Sequence, residues 1–340
     1  MERENISIAE GGGGKQGNRL IQNVFLRAYG NEILNKLEDA AECDIAGSRI
    51  AFTTDSFTIK PVFFPGGDIG KLAVCGTVND LAVKGARPRA LAAAFIIEEG
   101  FPKKDLSAIA ESMQKTASES GVSIVAGDTK VVSRGEADGI FITTAGIGTV
   151  MDSMNVSVRC ACKGDVVIST GTIADHGICI MNAREGLGFS SPITSDVSPV
   201  ISLVEKLAPL AEHIHVMRDP TRGGVAGIVN EIALASRVLI TLKEKEIPLK
   251  QEVASCCDLL GIDPLYMANE GKIILVVAEH AAQDILTLLR QVPLGRQAAV
   301  IGQVSREAFR SDVPPVSLET LLGTSRFLPL LEGDPLPRIC

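Results

Sequence analysis

Gly66-Gly67-Asp68-Ile69-Gly70-Lys71-Leu72-Ala73-Val74-Cys75-Gly76-Thr77-Val78-Asn79-Asp80-Leu81-Ala82-Val83-Lys84 is a turn followed by a run of small and aliphatic residues. It predicts a helix that ends near Lys84, because Gly85 and Pro88 stop it. Ala90 to Glu98 then reads as a strongly apolar strand. Pro102 opens a second helix, with Leu106, Ile109, Ala110, Met113 and Ala117 at helical spacing, and Gly121 closes it. Val122 to Ala126 and Gly139 to Val150 read as further strands. Two of the links between these strands are helices, which predicts an α/β fold with helices packed on one side of a sheet.

Working outward, Asn18 to about Leu37 has helical spacing and Arg49 to Asp55 reads as a strand. The stretch from Met151 to Lys163 is polar, carries two cysteines and ends in Gly164-Asp165, so the domain boundary is expected there. The alternation then resumes. Strands are expected over residues 166–171, 272–278 and 298–304, and helices over 175–186, 199–210, 222–235 and 281–291. The chain therefore divides into a glycine-rich segment and helix (1–40), a first domain (41–152), a second domain (160–323) and a flexible tail (324–340), in keeping with the usual size of domains.

Nearly half of the 340 residues are apolar, enough for two cores, and the absence of Trp leaves those cores to Ala, Val, Ile and Leu. A net charge of −8 without a basic run argues against nucleic acid and anionic membranes as partners. No apolar stretch has the length of a membrane span and Met1-Glu2-Arg3-Glu4-Asn5 is no signal peptide, so the expected location is the cytoplasm. Eight cysteines in such a chain suggest reduced thiols. None forms a Cys-x-x-Cys. Cys160-Ala161-Cys162 and Cys256-Cys257 are poorly spaced for structural zinc, and a metal–thiolate protein is not expected. Cys75 and Cys179 lie in apolar runs and read as small core residues.

Carboxylates at element ends carry the first chemical signal. Asp39 precedes Ala40-Ala41, Asp55 ends Phe52-Thr53-Thr54, Asp128 ends Val125-Ala126-Gly127, and Asp80 interrupts an apolar helix. On that helix Ala73, Gly76, Thr77, Asp80 and Lys84 share one face, so small residues leave room beside the carboxylate. If the four acids converge they need a cation, and an oxygen-only set favours Mg²⁺, which keeps substrate phosphates as further ligands. Gly11-Gly12-Gly13-Gly14-Lys15-Gln16-Gly17 fails as a Walker A loop, since Gln16 follows the lysine and Ala9 stands at the first glycine position. Four glycines can still wrap phosphates with N–H groups, beside the charge of Lys15; a flexible linker is the other reading. Lys130 follows Asp128-Thr129, placed to neutralise a transferring phosphoryl group. Asp219 and Arg222 read equally well as an ion pair that sets a loop.

The second signal is the ending Gly333-Asp334-Pro335-Leu336-Pro337-Arg338-Ile339-Cys340. Its prolines favour an extended arm of roughly 25 Å at ~3.3 Å per residue. A thiol on such an arm can be loaded in one place and carry its group to another; a frayed terminus is the plainer reading.

Thr54-Asp55-Ser56-Phe57, Phe63-Phe64-Pro65-Gly66-Gly67-Asp68-Ile69-Gly70, Asn79-Asp80-Leu81-Ala82, Gly127-Asp128-Thr129-Lys130, Asp175-His176-Gly177, Arg218-Asp219-Pro220-Thr221-Arg222-Gly223-Gly224, Asn269-Glu270-Gly271-Lys272 and Pro337-Arg338-Ile339-Cys340 together resemble the HypE family of hydrogenase maturation factors, nearly end to end. That family is related to aminoimidazole ribonucleotide synthetase, thiamine-monophosphate kinase and selenide–water dikinase, and the terminal Cys segment is particular to it. The resemblance implies an N-terminal α/β sandwich whose strands form a barrel-like dimer interface. It implies a second α/β domain with helices on one face of a mixed sheet, and ATP in the cleft between the two.

The resemblance also implies the chemistry. Cys340 accepts a carbamoyl group from the carbamoyltransferase HypF, and ATP-dependent dehydration leaves a thiocyanate. The cyano group passes to iron held by a HypC–HypD complex. Asp39, Asp55, Asp80 and Asp128 are then the metal candidates. Gly11, Gly12, Gly13, Gly14, Lys15, Asn79, Thr129 and Lys130 are the ATP-binding candidates. Cys340, Lys130, Glu270 and His176 are the catalytic ones, with Glu270 and His176 moving protons or orienting the thiocarboxamide. Four successive glycines depart from the more mixed Gly/Ser segment usual in the family, which leaves the phosphate contacts open. The competing readings are a selenophosphate-synthetase-like enzyme, which would want a reactive Cys near Gly11–Gly17, and a non-catalytic thiol carrier. A neutral thiocarboxamide costs less to desolvate than a thiolate, so loading is expected to draw the tail inward while the free thiolate leaves it mobile.

Overall fold

The computed structural model of the chain describes residues 5–186, 193–305, 313–333 and 338–340. After the glycine segment, α1 (Gly14–Leu20), a π-helical turn (Ile21–Leu26) and α2 (Arg27–Tyr29) form one helical stretch. It stops short of Leu37 because Gly30 leaves helical geometry and Asn31 Oδ1 accepts the N–H groups of Ile33 and Leu34 to make a turn.

The first domain is built on β1 (Ala41–Ile45), β2 (Ser48–Phe57), the short strands β3 (Phe63–Phe64) and β4 (Gly67–Asp68), α3 (Ile69–Val83), β5 (Ala86–Glu98), α4 (Lys103–Glu119), β6 (Ser123–Val132) and β7 (Ile140–Val150). Asp68 starts α3 as an N-cap: its Oδ1 accepts from the N–H groups of Gly70 and Lys71. The main sheet runs β1-β2-β7-β5-β6, antiparallel except for the parallel pair β5 and β6. Helices α3 and α4 cover one face. Alternation along β2 and β7 therefore sends Ala51, Thr53, Phe57, Ile142 and Thr144 inward. The opposite face leaves Phe52, Ile96 and Ile147 exposed. β6 is an edge strand, exposed along nearly its whole length.

The second domain comprises β8 (Val166–Ser169), α5 (Asp175–Glu185), α6 (Ile201–Leu207), β9 (Ile214–Arg218), α7 (Gly224–Ser236), β10 (Leu239–Lys243), α8 (Gln251–Leu260), β11 (Ile274–Val277), α9 (Ala282–Leu289), β12 (Ala299–Ser305), β13 (Val316–Glu319) and β14 (Ser325–Phe327). They form a mixed sheet in the order β14-β13-β10-β12-β8-β11-β9. Helices lie on both faces, not one. Val167, Val216, Ile274 and Val276 pack with α5, α7 and α8, while Ile168, Met217, Leu275 and Val277 pack with α6 and α9. β8 and β11 are buried on both sides, which is why they read as unbroken apolar runs.

The segment after Gly323 is not a free linker. β14 pairs with β13, Leu328 is buried, and Arg338–Cys340 lie against the first domain. The expected extended arm through Pro335 and Pro337 lies outside the described residues.

Candidate active site

The floor of the site is a carboxylate cluster built by both domains. Asp39 comes from the turn before β1, Asp80 from the last turn of α3, and Asp219 from the residue after β9. One oxygen from each lies within 4.8 Å of the others. Thr53, which faces inward from β2, sets its one hydroxyl proton between two acceptors: Oγ1 lies 2.7 Å from Asp80 Oδ2 and 2.9 Å from the Asp39 carbonyl. Burial holds Asp80 well above the usual carboxylate range, reinforced by the charges of Asp55, Asp219 and Asp39. Burial likewise raises Asp39, although Arg218 sits 2.7 Å away as an ion-pair partner, and lifts Asp219 to about 6. Asp55 is raised by its burial against the same group, with Arg222 pulling the other way. These oxygens repel one another until a cation enters. An all-oxygen donor set of this kind fits Mg²⁺.

Asp219 is the member of this cluster that sequence reasoning missed: it reads there equally well as an ion-pair partner of Arg222, because β9 is not anticipated. The strand instead ends at Arg218, so that Arg218 reaches Asp39 and Glu231 while Asp219 turns into the cluster.

Asp128, Thr129 and Lys130 do not join this cluster within the chain. They lie in mid-strand on β6, and the register row Asp55–Thr144–Ala93–Gly127 puts β6 three strands from β2. At the spacing of neighbouring strands that is about 14 Å. Asp128 follows Gly127 and so points to the opposite face from Asp55, with Lys130 beside it at 3.1 Å. Both are well exposed, and Lys130 holds the Asp128 carboxyl below its ordinary value.

Above the cluster sits the tail. Ile339 is buried in the first domain's core, and its carbonyl accepts from His176 Nε2 at 2.8 Å. The Cys340 carbonyl accepts from Thr58 N, and Arg184 reaches the Arg338 carbonyl. Cys340 Sγ lies 3.3 Å from Arg222 Nη1. Burial pushes its thiol up to about 12 despite Arg222, with Glu270 and Asp55 adding to the shift. The docked sulfur is thus a neutral thiol, and docking needs no load.

His176 is wholly buried at the start of α5, and its tautomer follows from its partners. A carbonyl only accepts, so Nε2 carries the proton. Ser195 Oγ, which takes the Val197 N–H, donates to Nδ1 at 2.7 Å. Burial also lowers its pKa. Both nitrogens are therefore engaged, Nε2 with the tail backbone and Nδ1 with Ser195. Glu270 is different. Its carboxyl is buried, Oε1 has no hydrogen-bond partner, and burial with the charges of Asp219 and Asp196 raises it well above its ordinary value. That is the environment of an acid–base group.

Asn79 is not free for a nucleotide. Its Nδ2 donates to the carbonyls of Ser198 and Glu270 and its Oδ1 accepts from Val200 N, so the side chain ties α3 to the second domain. The glycine segment approaches the site from the other side. Gly11 turns back on Ile8, Gly12 continues toward Gly13, and Gly13 packs near Arg222. At Gly14 the backbone has φ of +63°, and a Cβ there would sit 2.6 Å from the Leu331 carbonyl. Lys15 N and Gln16 N donate to Leu331 and Glu332 carbonyls, and Lys15 Nζ pairs with Glu332 at 2.9 Å. In this state the glycine segment grips the base of the tail.

Two family models match the chain: AIR synthase related protein, N-terminal domain, over residues 37–150, and its C-terminal domain over residues 163–312. Carbamoyl dehydratase HypE of Azotobacter vinelandii is 46% identical over 100% of this chain and 98% of its own length. The Escherichia coli K12 protein of that name is 44% identical, covering 99% of each. Among solved structures, a HypE–HypF complex superposes with a TM-score of 0.86 at 51% identity, over 92% of this chain and 99% of that one. A HypE structure in complex with ATP gives 0.82 at 46% identity, over 96% and 98%. Thiamine monophosphate kinase from Aquifex aeolicus shares the fold at 15% identity and a TM-score of 0.66, over 90% of this chain and 97% of that one. Full-length identity at this level, together with a docked terminal thiol over a buried carboxylate cluster, makes the chain a member of the HypE family of hydrogenase maturation proteins within the AIR synthase related fold.

Proposed function

We propose that this protein dehydrates a carbamoyl group carried on its own Cys340, using ATP, to supply a cyano ligand for hydrogenase maturation. The observation that carries the reading is the position of the Cys340 sulfur, 3.3 Å from Arg222 and near enough to Glu270 and Asp55 to feel their charge, with Asp55 acting in turn on Asp80 and Asp219 of the acid cluster. The relatives' name and the ATP and HypF complexes of similar structures support it.

The loaded sulfur bears C(=O)NH₂. Its oxygen takes the γ-phosphoryl group of ATP, with the bond to ADP breaking, which turns a poor leaving group into a good one. Loss of one N–H proton gives the imidate; loss of the second expels phosphate and leaves S–C≡N. Glu270 would take those protons one at a time, releasing the first to solvent before the second leaves. Arg222 holds positive charge beside the reacting carbon and oxygen. His176 fixes the tail through the Ile339 carbonyl. Asp39, Asp80 and Asp219 would hold Mg²⁺, which when bound neutralises the transferring phosphates.

HypF would load the thiol and a HypC–HypD complex would take the cyano group. The protein would act as a homodimer through the exposed sheet face of Phe52, Ile96 and Ile147, so that Asp128 and Lys130 face the second copy. All eight cysteines are free, which supports work in the reducing cytoplasm. Among the described residues no helix is long and apolar enough to cross a membrane.

Mass spectrometry of the C-terminal peptide after incubation with HypF, carbamoyl phosphate and ATP tests the reading. The peptide should gain a carbamoyl group and then lose one water with matching phosphate release. A peptide that loads but never loses water would leave only a carrier.

A further inference from the structure

Cys160-Ala161-Cys162 has the wrong spacing for a zinc site of its own, but the fold supplies what the local sequence lacks. Cys162 closes the interdomain linker, Asp165 leads into β8, and His215 comes from β9 fifty positions later. One ligand atom from each of the three lies within 4.8 Å of the others. Asp165 is nearly buried, and its Oδ2 accepts from both His215 Nδ1 and Cys162 N at 2.7 Å. That contact points His215 Nδ1 at Asp165 Oδ2, so a cation entering between them takes the Nδ1 lone pair while the ring proton moves to Nε2. The Cys162 thiol is exposed and makes only a long contact, 3.4 Å, to the Cys160 carbonyl. None of these side chains touches the tail or the carboxylate cluster in any contact described above.

We propose that Cys162, Asp165 and His215 form a second metal site, for one thiophilic divalent cation of the zinc class, open to water on its solvent side. Donors around a tetrahedral ion at ordinary Zn–N, Zn–O and Zn–S lengths stand about 3.3–3.8 Å apart, so small side-chain shifts suffice. One thiolate and one imidazole select Zn²⁺ over Mg²⁺ or Ca²⁺. Cys162 loses its proton to solvent as the S–metal bond forms, and nothing is oxidised. The ion would staple the linker to β9, already joined by the Ser157 N–H to the His215 carbonyl at 3.1 Å. The far end of that strand carries Arg218 and precedes Asp219.

The test uses the full chain with Cys340→Ala, so that the terminal thiol cannot compete, in millimolar Mg²⁺ to occupy the carboxylates. After chelator treatment, Co²⁺ is titrated and then displaced by Zn²⁺. One equivalent of Co²⁺ should give a thiolate-to-cobalt charge-transfer band, and Zn²⁺ should bleach it. Cys162→Ser should abolish the band, and His215→Gln should weaken binding about tenfold or more. Circular dichroism checks that both variants fold. A parent protein without the band, or a band that survives Cys162→Ser in the folded protein, overturns the proposal.

Discussion

Asp80→Asn keeps the shape of a side chain bonded to Thr53 while removing one charge from the cluster. Mg²⁺-dependent nucleotide binding should weaken by at least about tenfold, whereas carbamoyl loading of Cys340 should be unchanged; equilibrium binding with and without Mg²⁺ measures the first and mass spectrometry the second. Glu270→Gln separates the proton acceptor from its surroundings. Loading should persist, dehydration should fall by about 10²–10⁴-fold, and the melting temperature should not drop, because an unpartnered buried carboxyl is replaced by a neutral amide. A variant that dehydrates at the normal rate would remove Glu270 from the chemistry. His176, Asp55 and Asp80 were legible as candidates because they lie in motifs. Their division of labour was not, since the tautomer of His176 depends on Ser195 and Ile339, which lie far apart along the chain.

At the scale of elements, α3, α4, β5 and β7 were readable because glycines, prolines and helical spacing mark their ends. β9, β10 and α8 were not, because short apolar segments carry no period that tells strand from helix. Asp219 went unplaced for that reason, at the end of unseen β9, and Asp128 reads as a strand end although β6 runs on to Val132. The tail was the largest miss, since its structure is borrowed from both domains. Burying Ile339 is worth about 2 kcal/mol and each hydrogen bond to the tail about 1, against about 1–2 per ordered residue, so docking is favourable by only a few kcal/mol. Its pH dependence follows from Cys340. The free thiol ionises near 9.0 and the docked one at about 12, so the docked state holds its proton more tightly. Docking is therefore at full strength below pH 9 and weakens about tenfold per unit above it. The protection of residues 338–340 from hydrogen exchange, relative to the intrinsic rate at each pH, should fall between pH 9 and 10 in the unloaded protein and stay flat in Cys340→Ser. A parallel fall in both would assign the change to another group.

For the whole molecule, the first domain's bare sheet face and the open edge of β6 are expensive to leave in water. Ile147→Glu places a charge within that face, where Ile147 is 45% exposed, and should shift the proposed dimer toward monomer by at least about tenfold in dissociation constant. Analytical ultracentrifugation reads this directly, and an unchanged mass would place the dimer contact elsewhere. The docked thiol has one further consequence, in the language of rates. A partner that must meet the sulfur outside sees only the undocked fraction of molecules. If docking is worth about 1.4 kcal/mol, nine arms in ten are withdrawn at any instant and the apparent rate of loading drops about tenfold. The same withdrawal shelters the sulfur from stray electrophiles, because a neutral thiol is a poor nucleophile. Reactivity toward iodoacetamide is thus a clock for the arm, and it should quicken when Ile339 is shortened to Ala although the thiol itself is untouched.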